Sequence, residues 1–374
     1  MIACTIKNHF PIVIGDVLLS SRKRPDKFYV PALTENLVDH LSDSEDLFPY
    51  ELRQKICVIS DRVCFAYSGF SFYAKKFLED FSRYIKLFEK PSIEDVVKFL
   101  KGHGMREYVG KLSILVLVVN DVEDSTTKFT ADLGVGGSWV SIRNPVLGEV
   151  HATGTGQNDF LAFASSVNPE LTMPSQTPDQ IIMTNLSVVA SLLAKERLDL
   201  KSLQNHWGAA LEVVYFDGVR FSRFDNVSYV FYHVMIDGSG NLSNPVESKV
   251  THYRYEDGHL IVLDLEATEL DRYIDDEKII ISYRKIDAGI FVIPSIDFVG
   301  EVDTEKYKLR SSFTSKRVGI GYIFQSETTA FYPGSYHEND GIEVEYVYEK
   351  ELRITISKRI EDRAKSLWYK RTLK

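Results

Sequence analysis

Residues 55–69, KICVISDRVCFAYSG, have the strongest influence on how this chain is interpreted. Two short apolar runs, KICVI and RVCFAY, flank Ser60 and Asp61, and this spacing predicts two antiparallel strands joined by a tight turn. Lys55 begins the hairpin and Ser68-Gly69 ends it, with fourteen residues from the lysine to the glycine. The segment therefore predicts a compact hairpin with a lysine at its head.

The residues before this hairpin predict another pair of strands. The runs ACTIK and PIVIGDVLL join near Asn8-His9-Phe10, and the second run is β-branched and apolar enough to be buried on both faces. Asp16 interrupts this apolar run. A polar stretch punctuated by proline follows over residues 20–49, and it is long for a loop, so we interpret it as an insertion.

Helices and strands then alternate in blocks. Aromatic and apolar residues at three- and four-residue intervals predict a first helix from about Phe70 to Phe88, ended by Pro91, and Ser92 caps a second, SIEDVVKFLK. The strands KLSILVLVVND, TTKFTADLG and SWVSIR follow. HATGTG precedes a helix beginning near Gln157, and Thr177-Pro178 caps a long helix. The strands GAALEVVYF and VRFSRF complete this part.

This order predicts an α+β fold in which helices cover both faces of two stacked sheets, a four-layer αββα arrangement. From Val227 onward, alternating segments separated by Asp-Gly turns predict an additional C-terminal β-rich region. We therefore expect one domain over residues 1–226 and a β-rich region over 227–374. The last residues, 358–374, hold seven Lys or Arg and predict a basic terminal helix, which is either solvated or a docking site for an acidic protein partner.

At this point the sequence resembles the proteasome β subunits and their bacterial relatives, which are N-terminal-nucleophile (Ntn) hydrolases. The resemblance covers residues 1–225 and implies an Ntn-hydrolase sandwich. It rests on Asp16 in VIGDVLLSS, on Lys55, and on the Ser-Gly turn that ends at Gly69. In that family the lysine manages a proton, the aspartate orients it, and the glycine N–H stabilises an oxyanion. The resemblance also implies self-association, since its members form rings or helical stacks.

Further residues match the family less closely. HATGTGQNDFLAFA is similar to its small-residue turn before a helix, and this places Thr155 near the usual serine. Asp199 and Ser202 have the family's D-x-x-S spacing, but an insertion that carries Trp207 follows them. A helix end or a turn explains that pair equally well.

The attacking residue that the resemblance implies is missing. Counting back from the aspartate, it should lie at Met1 or Ile2, and neither side chain can attack a carbonyl. Unusual processing could expose Cys4 or Thr5. Both lie too far along the first strand for the usual register, because the turn fixes hairpin pairing.

Composition limits the remaining functions. The net charge of −9 argues against nucleic-acid binding, and the longest apolar run, Leu112–Val119, is too short for a membrane span. Three cysteines without framework spacing, Cys4, Cys57 and Cys64, indicate a reducing, cytoplasmic setting. No glycine-rich segment continues into G-K-[ST] and no H-E-x-x-H occurs, so we predict neither a cofactor nor a metal site.

Three hypotheses follow. The first is a proteasome-like protein without autonomous peptidase activity, acting as a structural or regulatory subunit of an oligomer. The second is a peptidase or amidase activated by processing, with Cys4 or Thr5 as nucleophile. The third is a binding module formed by the C-terminal β-rich region, with the first domain as scaffold.

Overall fold

The computed structural model describes residues 1–42, 46–102, 105–119, 126–133, 139–167, 177–233, 248–275, 277–324, 327–331, 341–360 and 362. Up to residue 226 its strands and α-helices are β1 (Ile2–Lys7), β2 (Phe10–Asp16), β3 (Leu18–Ser21), β4 (Phe48–Leu52), β5 (Ile56–Ser60), β6 (Val63–Gly69), α1 (Ser71–Ile85), α2 (Ile93–Gly102), β7 (Leu112–Val119), β8 (Thr126–Leu133), β9 (Val140–Asn144), β10 (Gly148–Thr153), α3 (Gln157–Ser166), α4 (Pro178–Asp199), α5 (Lys201–Gln204), β11 (Leu211–Phe216) and β12 (Phe221–Arg223).

After residue 226 the chain is mainly β. The elements there are β13 (Val227–His233), β14 (Ser248–Glu256), β15 (His259–Ile274), β16 (Lys278–Ile293), α6 (Thr304–Lys308), β17 (Phe313–Ser315), β18 (Arg317–Phe324), β19 (Glu327–Phe331), β20 (Ile342–Val347) and β21 (Glu351–Ser357). Two short 3-10 helices, Leu37–His40 and Met105–Glu107, lie in the first part of the chain.

The local elements form for the reasons that the sequence indicates. Asn8 and His9 adopt positive φ angles in the β1–β2 turn, and every residue of β2 is buried. The aromatic spacing of α1 gives it one buried face, which includes Phe77 and Phe81. Thr177 and Gln180 form a reciprocal capping box at the start of α4. These predicted elements are confirmed.

Two sheets in the first part of the chain face each other. One has six strands in the order β12-β11-β2-β1-β10-β9, and the other has four in the order β5-β6-β7-β8. A buried cluster that includes Ile2, Val13, Cys64 and Leu115 fills the space between them. Helices α1 and α2 pack on the other side of the four-stranded sheet around Phe77. The two-stranded sheet β3-β4 borders the predicted insertion.

The third large sheet has nine strands in the order β17-β20-β21-β16-β15-β14-β13-β18-β19. It curls around a cluster of apolar and tyrosine side chains, among them Tyr232, Tyr283 and Tyr346, and gives a nearly closed barrel of eight strands. The interior of the barrel is therefore filled by its own side chains.

The predicted four-layer αββα Ntn-hydrolase sandwich with an added β-rich region is wrong as a description of this fold. Strands contain 45% of the residues and helices 26%, and the nearly closed barrel is part of the same structure. The physical reason lies in α4, which contacts β2 on one side and β18 and β19 on another. A helix covered by two sheets is an interior element and cannot serve as an outer layer.

One hydrophobic cluster joins α4 to the sheets on both sides of it, and it includes Ile14, Leu186, Phe231 and Val262. A buried ion pair between Arg197 of α4 and Asp264 of β15 also connects this helix to the nine-stranded sheet. The nine-stranded sheet is thus packed against the first part of the chain as core.

Two further predictions concern the domain boundary and the C-terminal segment. The domain boundary at 226/227 falls between β12 and β13 and stays a prediction. The basic terminal helix lies mostly outside the described residues, since the structure describes only 358–360 and 362 of that segment.

Candidate functional site

The carboxylate of Asp16 is the centre of the candidate site. Asp16 is the last residue of β2 and is fully buried. Lys55, which immediately precedes β5, places Nζ 2.8 Å from Oδ1 of Asp16 and donates a second hydrogen bond of 2.8 Å to the carbonyl of Leu18. The backbone N–H of Leu18 donates to the same Oδ1 at 2.9 Å. The predicted pair of Asp16 and Lys55 is therefore in direct contact.

Strand pairing brings Met1 to this carboxylate. Ile2 lies opposite Gly15 in the β1–β2 pair, so Met1 lies beside Asp16, and the backbone N–H of Asp16 donates to the Met1 carbonyl at 3.2 Å. The α-amino group of Met1 contacts Oδ2 of Asp16. Asp16 thus binds two amines, one at each oxygen.

Burial and charge act against each other in this cluster. Burial alone would raise the pKa of Asp16, but the Lys55 ammonium and the Met1 amine hold that pKa below its usual value. Burial lowers the pKa of the Met1 α-amino group to about 5, although Asp16 opposes the change. The cluster is therefore a buried ion pair between Asp16 and Lys55, with the Met1 amine on the other carboxylate oxygen.

Glu212 was not predicted, and its carboxyl group binds the backbone at Lys55. It belongs to β11, where it pairs with Gly15, and its Oε1 accepts the backbone N–H groups of Lys55 and, at 2.9 Å, of Ile56. Its Oε2 is buried and has no hydrogen-bond partner among the described residues. Burial raises the pKa of Glu212 to about 7, against the influence of Arg223 and the two N–H groups. The one available signal was a single acid in the apolar run LEVVYF.

Asp199 and Ser202, the predicted D-x-x-S pair, bind different partners. Asp199 ends α4 and accepts the backbone N–H of Lys201 at 3.1 Å. Ser202 instead donates to Oε2 of Glu196 at 2.7 Å, and the backbone N–H of Ala209 donates to the same oxygen at 3.1 Å. Glu196 is a second buried acid that sequence reasoning missed, and burial raises its pKa to about 7.

Gly69, the predicted oxyanion glycine, and Gly154 both have positive φ angles. Gly69 has a φ of +119°, and a Cβ there would lie 2.2 Å from the Lys111 carbonyl oxygen. Gly154 has a φ of +93°, and a Cβ there would lie 3.1 Å from Cα of Met1 and 2.4 Å from Oγ of Ser68. Both positions therefore require glycine. The turn before α3 presses Gly154 against Met1.

Thr155 follows that turn, and its hydroxyl binds a different segment of the chain. Its hydroxyl donates to the carbonyl of His206 at 3.1 Å. The threonine therefore anchors the segment after α5, and its hydroxyl is committed to that contact.

Cys4 and Thr5 are both internal to β1. Cys4 pairs with Val13 on one side and His151 on the other, and its side chain belongs to the cluster between the sheets. Thr5 donates its hydroxyl to Oδ1 of Asn185 at 2.8 Å. Among the described residues, the hydrogen bonds and ion pairs of Asp16 and Lys55 involve no hydroxyl and no thiol.

Other classes of site leave no trace in the described part of the chain. Its His, Cys, Asp and Glu residues form no group of three or more that could hold a metal ion. Among its helices, none combines the length and the apolar character that crossing a membrane requires.

No protein-family model matches this chain, and no curated protein sequence matches it either. The chemistry of the site therefore follows from its own geometry. That geometry is a buried acid held by two amines. Two further buried carboxyl groups, Glu196 and Glu212, have pKa values that burial raises to about 7.

Proposed function

We propose that this protein is a structural or regulatory subunit of an oligomeric assembly and has no autonomous peptidase activity. The observation that carries the proposal is the commitment of Asp16 and Lys55 to each other, to Met1 and to the Leu18 carbonyl. A nucleophilic mechanism needs a hydroxyl or thiol within hydrogen-bond reach of its base. Within the described part of the chain, Lys55 Nζ donates to Asp16 and to the Leu18 carbonyl and to no hydroxyl or thiol. A proteasome-like ancestry supports the oligomeric part of the proposal.

The position of the alternative nucleophiles also favours a non-catalytic role. Cys4 and Thr5 are each paired on both sides within the six-stranded sheet. Moving either one to Asp16 would shift β1 by several residues and would lose the pairing with β2 and β10. A processed, active form would therefore need a different register of the first strand.

Partners and compartment belong to the same proposal. Self-association is its main element, and the basic segment 358–374 is a further candidate for contact with an acidic protein. A cytoplasmic location is supported by Cys4, Cys57 and Cys64, none of which is in a disulfide bond in the described structure. The filled barrel interior gives no support to a ligand held inside the C-terminal β-rich region.

Three measurements on the purified full chain test the proposal. Cleavage of fluorogenic peptides should not exceed the background of a Lys55→Arg variant, and Lys76→Arg serves as the control because Lys76 forms an exposed ion pair with Glu107. Intact mass should show no chain that begins at Cys4 or Thr5. Light scattering coupled to size exclusion should show an oligomer.

Peptide cleavage that disappears in Lys55→Arg but persists in Lys76→Arg would overturn the non-catalytic role. A protein that stays monomeric over a wide range of concentrations would overturn the oligomeric role.

A further inference from the structure

The contact between Lys55 and Asp16 combines three properties that favour covalent chemistry. The amine and the carboxylate are 2.8 Å apart, both residues are at least nine-tenths buried, and they lie at the ends of strands that hold them in place. Reactive groups held at contact distance behave as if present at very high concentration.

We propose that Lys55 Nζ and the side chain of Asp16 become joined by an intramolecular amide bond. A proton passes from Lys55 Nζ to Oδ1 of Asp16, which gives a neutral amine and a neutral acid. The amine lone pair attacks Cγ of Asp16 and forms the C–N bond. The C–O bond of the protonated oxygen then breaks, Nζ loses a second proton, and one water molecule leaves. Nothing is oxidised or reduced, and no co-reactant is needed.

The bond would close the chain around the predicted insertion. Residues 20–49 lie between Asp16 and Lys55, and β3 and β4 pair at the two ends of this stretch. A covalent closure restricts the unfolded chain and leaves the folded state unchanged, as a disulfide does. Such a bond suits a structural subunit, because a lysine held in an amide cannot serve as a catalytic base.

Mass spectrometry of the full chain tests the inference directly. The intact mass should be lower than the sequence mass by one water, trypsin should not cleave after Lys55, and a branched peptide should join Asp16 to Lys55. Asp16→Asn should lose ammonia instead of water. Lys55→Arg keeps the cation but should show neither the mass loss nor the branched peptide.

A matched control comes from the exposed pair of Lys76 and Glu107, whose contact of 2.7 Å is as short. These two residues should stay unlinked, because water reaches them.

An intact mass equal to the sequence mass, after prolonged incubation of the folded protein, would refute the bond. A branched peptide that joins Asp16 to Met1 would refute the choice of Lys55. Absence of the bond would leave the proposed non-catalytic role to the peptide assay, which tests it separately.

Discussion

Replacing Glu212 with Gln should make the protein more stable at alkaline pH. The buried carboxyl has a pKa raised from its usual 4.5 to about 7, mainly by burial. A group whose pKa is raised by folding contributes stability that is fully present below its usual pKa and is lost as the pH rises through the raised value. The folded protein therefore loses stability from about pH 5 to about pH 8 through this one group.

The size of the effect follows from the same values. Each pKa unit corresponds to about 1.4 kcal/mol, so ionisation of Glu212 costs the folded state about 3 kcal/mol at about pH 8 and less than about 1 kcal/mol at about pH 5. Gln keeps an oxygen that can accept the N–H groups of Lys55 and Ile56. The variant should therefore gain about 2 kcal/mol relative to the original protein between these two pH values.

Urea unfolding followed by circular dichroism at several pH values measures this difference. Glu79 is exposed on α1, and Glu79→Gln is the matched control that should leave the pH profile unchanged. An equal loss of stability at every pH in Glu212→Gln would refute the reasoning, because it would show that the carboxylate charge is needed for the fold.

Three further outcomes are expected. Gly154→Ala should lower the free energy of unfolding by about 2 kcal/mol or more, because a Cβ there would clash with neighbouring atoms. Gly258 also has a positive φ, but the space around it is open, so Gly258→Ala should lower the free energy of unfolding by only about 1 kcal/mol. Thermal unfolding measures both values. Arg197→Met should destabilise by about 3 to 5 kcal/mol in urea, because it leaves Asp264 buried without its cation; an effect below about 1 kcal/mol would contradict this. Burial lowers the pKa of His252 to about 3. Its contribution to stability is therefore present above its usual pKa and is lost as the pH falls. Between about pH 7 and about pH 5 the free energy of unfolding should fall by about 2 kcal/mol less in His252→Asn than in the original protein.

The local elements could be predicted because their signals lie between residues close in the chain. The aromatic spacing of α1, the capping box at Thr177 and the turn between β5 and β6 each involve neighbours within a few positions. The pairing of β1 with β2 is equally local, since the Asn8-His9 turn fixes its register and so places Met1 beside Asp16. The contact of Asp16 with Lys55 was expected only through the family resemblance.

The tertiary structure decided which charges are buried and which faces are covered. In the sequence, Glu212 is an ordinary acidic residue of a strand, and only the pairing of β11 with β2 brings its carboxyl group to the backbone N–H of Lys55. Glu196 accepts a hydrogen bond from the Ser202 hydroxyl, whereas the sequence spacing had paired Ser202 with Asp199. The apolar pattern of α4 predicts a helix but cannot show that a second sheet covers it. Burial depends on residues that are distant in sequence, whereas periodicity and turns depend on neighbours. The sequence alone thus determined the elements, and only the packing determined the layers and the buried carboxyl groups.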